Sequence, residues 1–317
     1  MSIEKRPLII LTGPTAVGKS DLSISLAKAV NGAVISADSM QVYRFMDIGS
    51  AKISKSEMQG IPHYLIDEFM PEEEFNVVKF QEYAKRYMEE IYQKGQIPIL
   101  VGGTGFYIQA VLYDIDFTSE NEDTAYRRQL EALAEKKGAE HLHDMLKEVD
   151  EESAKTIHPN NIKRIIRALE FYKKTGKKIS AHNETERQKE SPYNFAYFVL
   201  NDDRSRLYER IDLRVDKMLE DGLIEEVTRL KEMGYTKDMV SMQGLGYKEI
   251  LDYLDGNLTL DEAVYILKRD TRHFAKRQLT WFRREKEVLW IDKEEYGYDN
   301  EAILNKMIEE LRKRGIL

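Results

Sequence analysis

Short apolar runs alternate with stretches of helical period through the first third of the chain. Leu8–Leu11, Ala33–Ser36, His63–Ile66 and Ile97–Val101 have the length of buried strands, whereas residues 18–30 and 76–94 repeat apolar side chains every three or four positions. This alternation predicts βαβ units and a parallel sheet, and therefore an α/β fold. From about residue 117 to 190 the strand signal disappears and charged helical segments follow one another, which reads as a helical insertion. Phe195–Leu200 and Val288–Ile291 resume the strand pattern, so late segments are expected to complete the sheet. The predicted organisation is a core of residues 1–116 and 191–317 with an insertion of residues 117–190. The polar stretch Glu184–Ser191 is expected to be a mobile connection. A long helix over about 259–284 aligns Leu260, Val264, Leu267, Thr271, Phe274, Gln278 and Phe282 on one face, with Lys268, Arg272, Lys276 and Arg283 in a separate stripe.

Composition narrows the class. The chain has 317 residues, 42% of them hydrophobic and 33% charged. No stretch approaches the roughly 20 apolar residues of a membrane span. Residues 1–6 lack the apolar core of a signal peptide, so a cytoplasmic protein with no membrane partner is expected. With no cysteine, disulfides, thiolate zinc sites and cysteine nucleophiles are excluded. Of six histidines only His141 and His143 are close, and two residues apart on a helix they face different directions. No coiled-coil or repeat signal is present, and a monomer is expected. The net charge of −8 argues against a nucleic-acid partner, but its distribution does not. Lys155–Lys189 holds ten basic residues against three acidic ones, and Lys268–Lys286 eight against two. Two basic zones in an acidic chain suit an anion such as RNA.

The densest chemistry follows the first strand. Gly13-Pro14-Thr15-Ala16-Val17-Gly18-Lys19-Ser20 is a complete G-x-x-x-x-G-K-[ST] phosphate loop. Its glycines let backbone N–H groups turn onto phosphate oxygens, Lys19 adds charge, Ser20 offers a hydroxyl to Mg²⁺, and the helix that follows adds its positive dipole end. A motor, a GTPase or a kinase fits this loop equally well. NTP hydrolases usually carry an acid at the end of a later strand to hold Mg²⁺. Here Ile97–Val101 runs into Gly102-Gly103-Thr104-Gly105, which suits either close approach of a substrate or a tight turn. The acid that stands out is Asp38, in Ser36-Ala37-Asp38-Ser39-Met40-Gln41-Val42-Tyr43, at the end of the second strand. A general base, a magnesium ligand and a helix N-cap are all open to it. Arg206, Arg210 and Arg214 recur at four-residue spacing, as a lid over phosphates or as a surface ladder with Glu209, Asp212 and Asp216.

Together with Asp47-Ile48-Gly49-Ser50-Ala51-Lys52, His158-Pro159-Asn160, Arg164, Arg167-Ala168-Leu169-Glu170 and Lys276–Arg283, these motifs resemble the bacterial tRNA dimethylallyltransferase family over residues 7 to about 292. The resemblance implies a P-loop NTPase-like parallel sheet core with a helical insertion domain. It implies transfer of a dimethylallyl group from dimethylallyl diphosphate to N6 of the adenosine beside the tRNA anticodon. The resemblance further implies that the loop Gly13–Ser20 grips the diphosphate, with Thr15 near the departing oxygen, Lys19 and Arg214 on phosphate charge, and Ser20 on Mg²⁺. Asp38 is implied to take the proton from N6. Ser39, Met40, Gln41, Thr104 and Arg127 are implied contacts of the flipped nucleotide or its phosphates. Lys163, Arg164, Ile165, Ile166 and Arg167, with Ser241–Tyr247, are implied to clamp the anticodon stem-loop. The rival readings are a small-molecule or nucleotide kinase using ATP, and an RNA-binding P-loop protein without turnover.

Overall fold

The computed structural model describes residues 5–117 and 124–317; residues 1–4 and 118–123 lie outside it, including the start expected to lack a leader and part of the expected insertion. Two compact units emerge, residues 1–112 with 192–317, and Tyr113–Ser191.

The first unit opens with β1 (Arg6–Thr12), α1 (Lys19–Ala29), β2 (Gly32–Ser36), β3 (His63–Tyr64), α2 (Val77–Gln93), β4 (Ile97–Gly102) and α3 (Gly105–Leu112). The second unit contributes α4 (Thr124–Lys137), α5 (Ala139–Val149), α6 (Glu151–Thr156), α7 (Ile162–Thr175) and α8 (Ile179–Gln188). The first unit then resumes with β5 (Tyr193–Asn201), α9 (Arg204–Glu220), α10 (Leu223–Glu232), α11 (Tyr247–Leu254), α12 (Leu260–Phe282), β6 (Val288–Asp292) and α13 (Asn300–Lys313). The strands form one parallel sheet in the order β3-β2-β4-β1-β5-β6. The late strands thus complete the sheet, as the returning apolar runs implied.

Burial explains why the strands read as unbroken apolar runs. On one face Ile9, Leu11, Ile99, Ala196, Phe198 and Leu200 pack with Leu22 and Leu26 of α1, Leu207 and Ile211 of α9, and Ile303, Met307 and Leu311 of α13. The alternate residues Leu8, Ile10 and Leu100 are fully buried as well. A parallel sheet covered on both faces favours apolar residues at most positions, with Thr12 and Ser36 the buried polar exceptions in β1 and β2. Helix starts are set locally. The Asn76 side chain accepts from the N–H groups of Val78 and Lys79, Asp203 from those of Ser205 and Arg206, and Thr259 with Glu262 forms a capping box.

Two expectations need correction. The third strand stops at Tyr64 rather than Ile66, because Leu65 and Asp67 take left-handed backbone conformations (φ 61° and 55°) that leave the sheet. Glu184–Gln188 is the last part of α8 rather than a loose connection. Glu186 is buried, accepts the Asp116 N–H at 3.0 Å and pairs with Lys189, which also donates to the Asp114 carbonyl. These bonds draw the start of the second unit back to Tyr113.

Within the second unit Leu130, Leu142, Leu146, Ile165, Ile166 and Leu169 form a separate core. Asp150 caps α6 and takes four hydrogen bonds, from the N–H and hydroxyl of both Ser153 and Ser180 (2.6–3.2 Å), fastening α8 to the start of α6.

Candidate active site

Parallel strands bring their carboxyl ends to one edge, and β1, β2 and β4 deliver the phosphate loop, Asp38 and Gly102-Gly103 to the same cleft of about 440 Å³. Thr15, Ala16, Gly18, Lys19 and Ser20 line one side, Asp38 and Gln41 another, and α9 and α12 supply Arg210, Arg214, Phe274 and Gln278. Lys19 folds over the loop and donates to the Gly13 and Pro14 carbonyls at 3.0 and 2.8 Å. Gly13 must be glycine: its φ is 148°, and a Cβ would lie 2.5 Å from the Leu200 carbonyl oxygen.

The three arginines of α9 separate. Arg214 reaches the Thr15 hydroxyl at 3.4 Å, and Arg210 donates from Nε to the Ala16 carbonyl at 2.8 Å. Arg206 instead lies over the Tyr298 ring at 3.7 Å. Four-residue spacing put all three on one stripe, and only packing determined which two face the loop. The acids expected to form a ladder with them pair elsewhere: Asp212 with Arg272 and Asp216 with Lys268, both at 2.5 Å. Those two cations of the α12 stripe are therefore engaged within the first unit.

Charge is concentrated and poorly hydrated in this cleft. Burial, then the neighbouring Arg214, lowers the Lys19 ammonium to about 7, and Asp38 only partly opposes them. Burial and Arg210 lower Arg214 as well, again against Asp38. Two cations held together without sufficient counter-charge make a strong anion site.

The two oxygens of Asp38 differ in their surroundings. Its Oδ1 accepts the N–H groups of Met40 and Gln41 at 2.8 and 3.3 Å, but no helix lies between β2 and β3, so the side chain closes a turn and the helix N-cap alternative is corrected. Its Oδ2 has no hydrogen-bond partner among the described residues and lies on the lining of the cleft. Gln41 bridges the Ser36 hydroxyl and the Ala51 carbonyl, tying the end of β2 to the loop that follows. That loop is held by Glu226, a fully enclosed carboxylate that accepts the N–H groups of Asp47, Ile48 and Gly49 and the Tyr247 hydroxyl.

No acid ends β4, and the geometry explains why. A Cβ on Gly102 would stand 2.2 Å from the Ala37 carbonyl oxygen, and one on Gly103 would stand 2.0 Å from Gln278 Nε2. Gln278 accepts the Thr15 N–H at 2.8 Å and donates to the Gly103 carbonyl at 3.0 Å. It couples the phosphate loop to the glycine turn across the cleft. Its signal in the sequence was a lone amide on an otherwise apolar helical face; Glu226 had no such signal.

The remaining expected positions divide by burial. Ser39 and Thr104 are half-buried beside Asp38, and the Thr104 N–H donates to the Ala37 carbonyl at 3.2 Å. Lys163, Arg164 and Arg167 are exposed on α7. Ile165 and Ile166 are not: at 0% and 3% exposure they anchor α7 in the core of the second unit, and the expectation of a direct RNA contact by their side chains is corrected. Arg127 forks onto Glu170 at 2.8 and 3.2 Å. In Ser241–Tyr247, Ser241, Met242 and Tyr247 are fully buried, which leaves Gln243, Gly244 and Leu245 as the accessible part of that expected clamp.

A parallel sheet whose first strand feeds a cation-backed phosphate loop defines an α/β P-loop protein, and the glycine turn without an acid sets it apart from NTP hydrolases. Comparison with known proteins narrows this. A family model described as IPP transferase matches residues 41–285. A tRNA dimethylallyltransferase from Lachnoclostridium phytofermentans is 64% identical over 98% of this chain and 99% of its own length. The crystal structure of a tRNA isopentenylpyrophosphate transferase from Bacillus halodurans is similar, with a TM-score of 0.74 and 46% identity over 98% of both chains. A eukaryotic dimethylallyltransferase acting on tRNA gives 0.77 at 32% identity, over 90% of this chain and 74% of that one. The chain belongs to the IPP transferase family, the tRNA dimethylallyltransferases.

Proposed function

We propose that this chain transfers the dimethylallyl group of dimethylallyl diphosphate to N6 of the adenosine beside the tRNA anticodon. The observation that carries the reading is one cleft joining Lys19, Arg214 and the phosphate loop to the unpartnered Oδ2 of Asp38. The loop grips the diphosphate, and Lys19 and Arg214 stabilise the charge that grows on it as the allylic C–O bond breaks. N6 attacks the allylic carbon, and its proton passes to Asp38 Oδ2, already oriented by the Met40 and Gln41 amides. Thr15 stands where the departing oxygen would lie, held by Arg214 and, through its N–H, by Gln278. Gln41, Ser39, Met40 and Thr104 border the base, which must leave its stack to reach Asp38.

Among the described residues no group of three His, Cys, Asp or Glu forms a metal cage. The anionic and neutral donors near the loop are hard oxygens, from Ser20, Asp21 and Asp38, a set that fits Mg²⁺ carried chiefly on a diphosphate. Ser20 would hold it, and when bound it would supply charge neutralisation for the leaving group. The exposed Lys163, Arg164 and Arg167 offer a cationic face for tRNA backbone. A kinase reading lacks a comparable feature, since no acid follows β4 to place a nucleotide-bound metal.

Incubation with unmodified tRNA and radiolabelled dimethylallyl diphosphate should label the tRNA, and Asp38→Asn should abolish labelling while retaining tRNA and pyrophosphate binding. Phosphate transfer from ATP to a small acceptor, with no label in tRNA, would refute the assignment.

A further inference from the structure

The phosphate loop is held from outside by a residue far from it in sequence. Lys293 follows β6 at the far edge of the sheet, is 7% exposed, and donates from Nζ to the Val17 carbonyl at 3.2 Å. The same Nζ lies 3.2 Å from where a Cβ of Gly18 would stand, with Arg210 at 3.7 Å. Gly18 has φ 98°, a backbone conformation that favours glycine.

The planarity of the peptide gives these contacts a consequence. A carbonyl oxygen and the N–H of the next residue share one rigid plane and point in opposite directions. Arg210 on the Ala16 carbonyl and Lys293 on the Val17 carbonyl therefore turn the N–H groups of Val17 and Gly18 away from themselves. The Gly18 N–H donates to no described residue, and it adjoins the unpaired first amides of α1. A buried ammonium is retained at a cost that ordinary packing would avoid. Burial and Arg210 lower its affinity for a proton, while Asp202 and Asp21 favour the charged form.

We propose that Lys293 is a positioning residue for diphosphate: with Arg210 it locks the Ala16-Val17-Gly18 peptides so that the Gly18 amide presents to the phosphate, making the segment after β6 part of the phosphate site. The residue acts through the loop and does not touch the substrate. The inference rests on the loop binding a diphosphate, as proposed above, but not on the identity of the prenyl acceptor. Lys293 lies outside residues 41–285, and β6 places it at the carboxyl edge shared by the other site residues.

The test is calorimetric titration of the full chain with inorganic pyrophosphate in the presence of Mg²⁺, with tRNA binding measured in parallel. Lys293→Met, which keeps the length and apolar stem, should weaken pyrophosphate binding about tenfold to a hundredfold, the range expected when a hydrogen bond from a charged group is lost. Lys293→Arg should restore it to within a few-fold, and tRNA affinity should be unchanged in both. In steady state the KM for the prenyl donor should rise while that for tRNA stays constant. Unchanged pyrophosphate affinity in Lys293→Met overturns the proposal. So does loss of pyrophosphate and tRNA binding together with no recovery in Lys293→Arg, which would mark a general structural role. If the unaltered chain fails to bind pyrophosphate, the phosphate-site reading itself fails.

Discussion

Lys19 should take up a proton when the diphosphate binds. Burial and Arg214 hold its ammonium near 7, against an ordinary 10.5. At about pH 8.5, therefore, only about 3% of molecules carry the charge that the loop needs, since each pH step above the pKa is tenfold. A bound diphosphate supplies the missing counter-charge and raises the pKa, so binding at this pH should consume close to one proton. Relative to a lysine that stayed protonated, the affinity at about pH 8.5 is reduced roughly thirtyfold, and near pH 6 the penalty vanishes. Titration of a non-reactive alkyl diphosphate, whose own protons are already lost at the higher pH, in two buffers of different ionisation enthalpy reads the uptake directly. Lys19→Met provides the baseline. The stability of the unliganded protein carries the same signature. The native pKa is depressed, so between about 7 and 10.5 the unfolded chain binds more protons and stability rises with pH. The ligand should flatten that rise. Heats independent of buffer at the higher pH, or the same proton uptake in Lys19→Met, would refute the account.

Four further outcomes follow from contacts within the two units. Gly102→Ala should cost several kcal/mol of stability or prevent folding, because its Cβ meets the Ala37 backbone at 2.2 Å. Gly103→Ala meets only the end of the flexible Gln278 side chain; it should fold, within about 1–2 kcal/mol in chemical denaturation, yet weaken diphosphate binding by uncoupling Thr15. Asp150→Ala removes four hydrogen bonds from a buried carboxylate and should destabilise the second unit by about 1–3 kcal/mol, seen as faster amide exchange in α6 and α8. Burial raises the Asp150 carboxyl but the Ser180 and Ser153 bonds outweigh it and lower it, so this contribution is present above the ordinary carboxylate range and is lost as pH falls through the native pKa. Burial raises Glu285 to about 7, so its ionisation opposes folding as pH rises from about 4.5. Glu285→Gln should raise the melting temperature at about pH 8, by on the order of 2 kcal/mol of stability, and leave it unchanged near pH 4.5. An equal shift at both pH values would mean that the carboxyl is not the cause.

Much of the chemistry was legible because it is local. The phosphate loop needs a fixed residue spacing and a preceding strand, both printed in residues 8–20, and the strands announce themselves because a sheet buried on both faces is mostly apolar along its length. Asp38 could be placed at a carboxyl edge from its strand alone, but that its Oδ1 closes a turn, with no helix there to cap, depended on the folded loop.

What helical spacing could not decide was direction. Arg206, Arg210 and Arg214 are equivalent by period, as are Lys163 and Ile165 by proximity, and only the packing of α9 and α7 determined which side chains face a ligand and which a core. Residues that act across the fold were least visible. Gln278 meets Thr15 and Lys293 meets Val17 across more than 260 positions of sequence, pairings that arise only when parallel strands bring their ends to one edge. The sequence by itself determined the sheet, the phosphate loop and a set of candidate charges, Asp38 and the arginines of α9. Tertiary structure decided which of those charges converge, because convergence is a property of side-chain direction and long-range packing, neither of which a local pattern encodes.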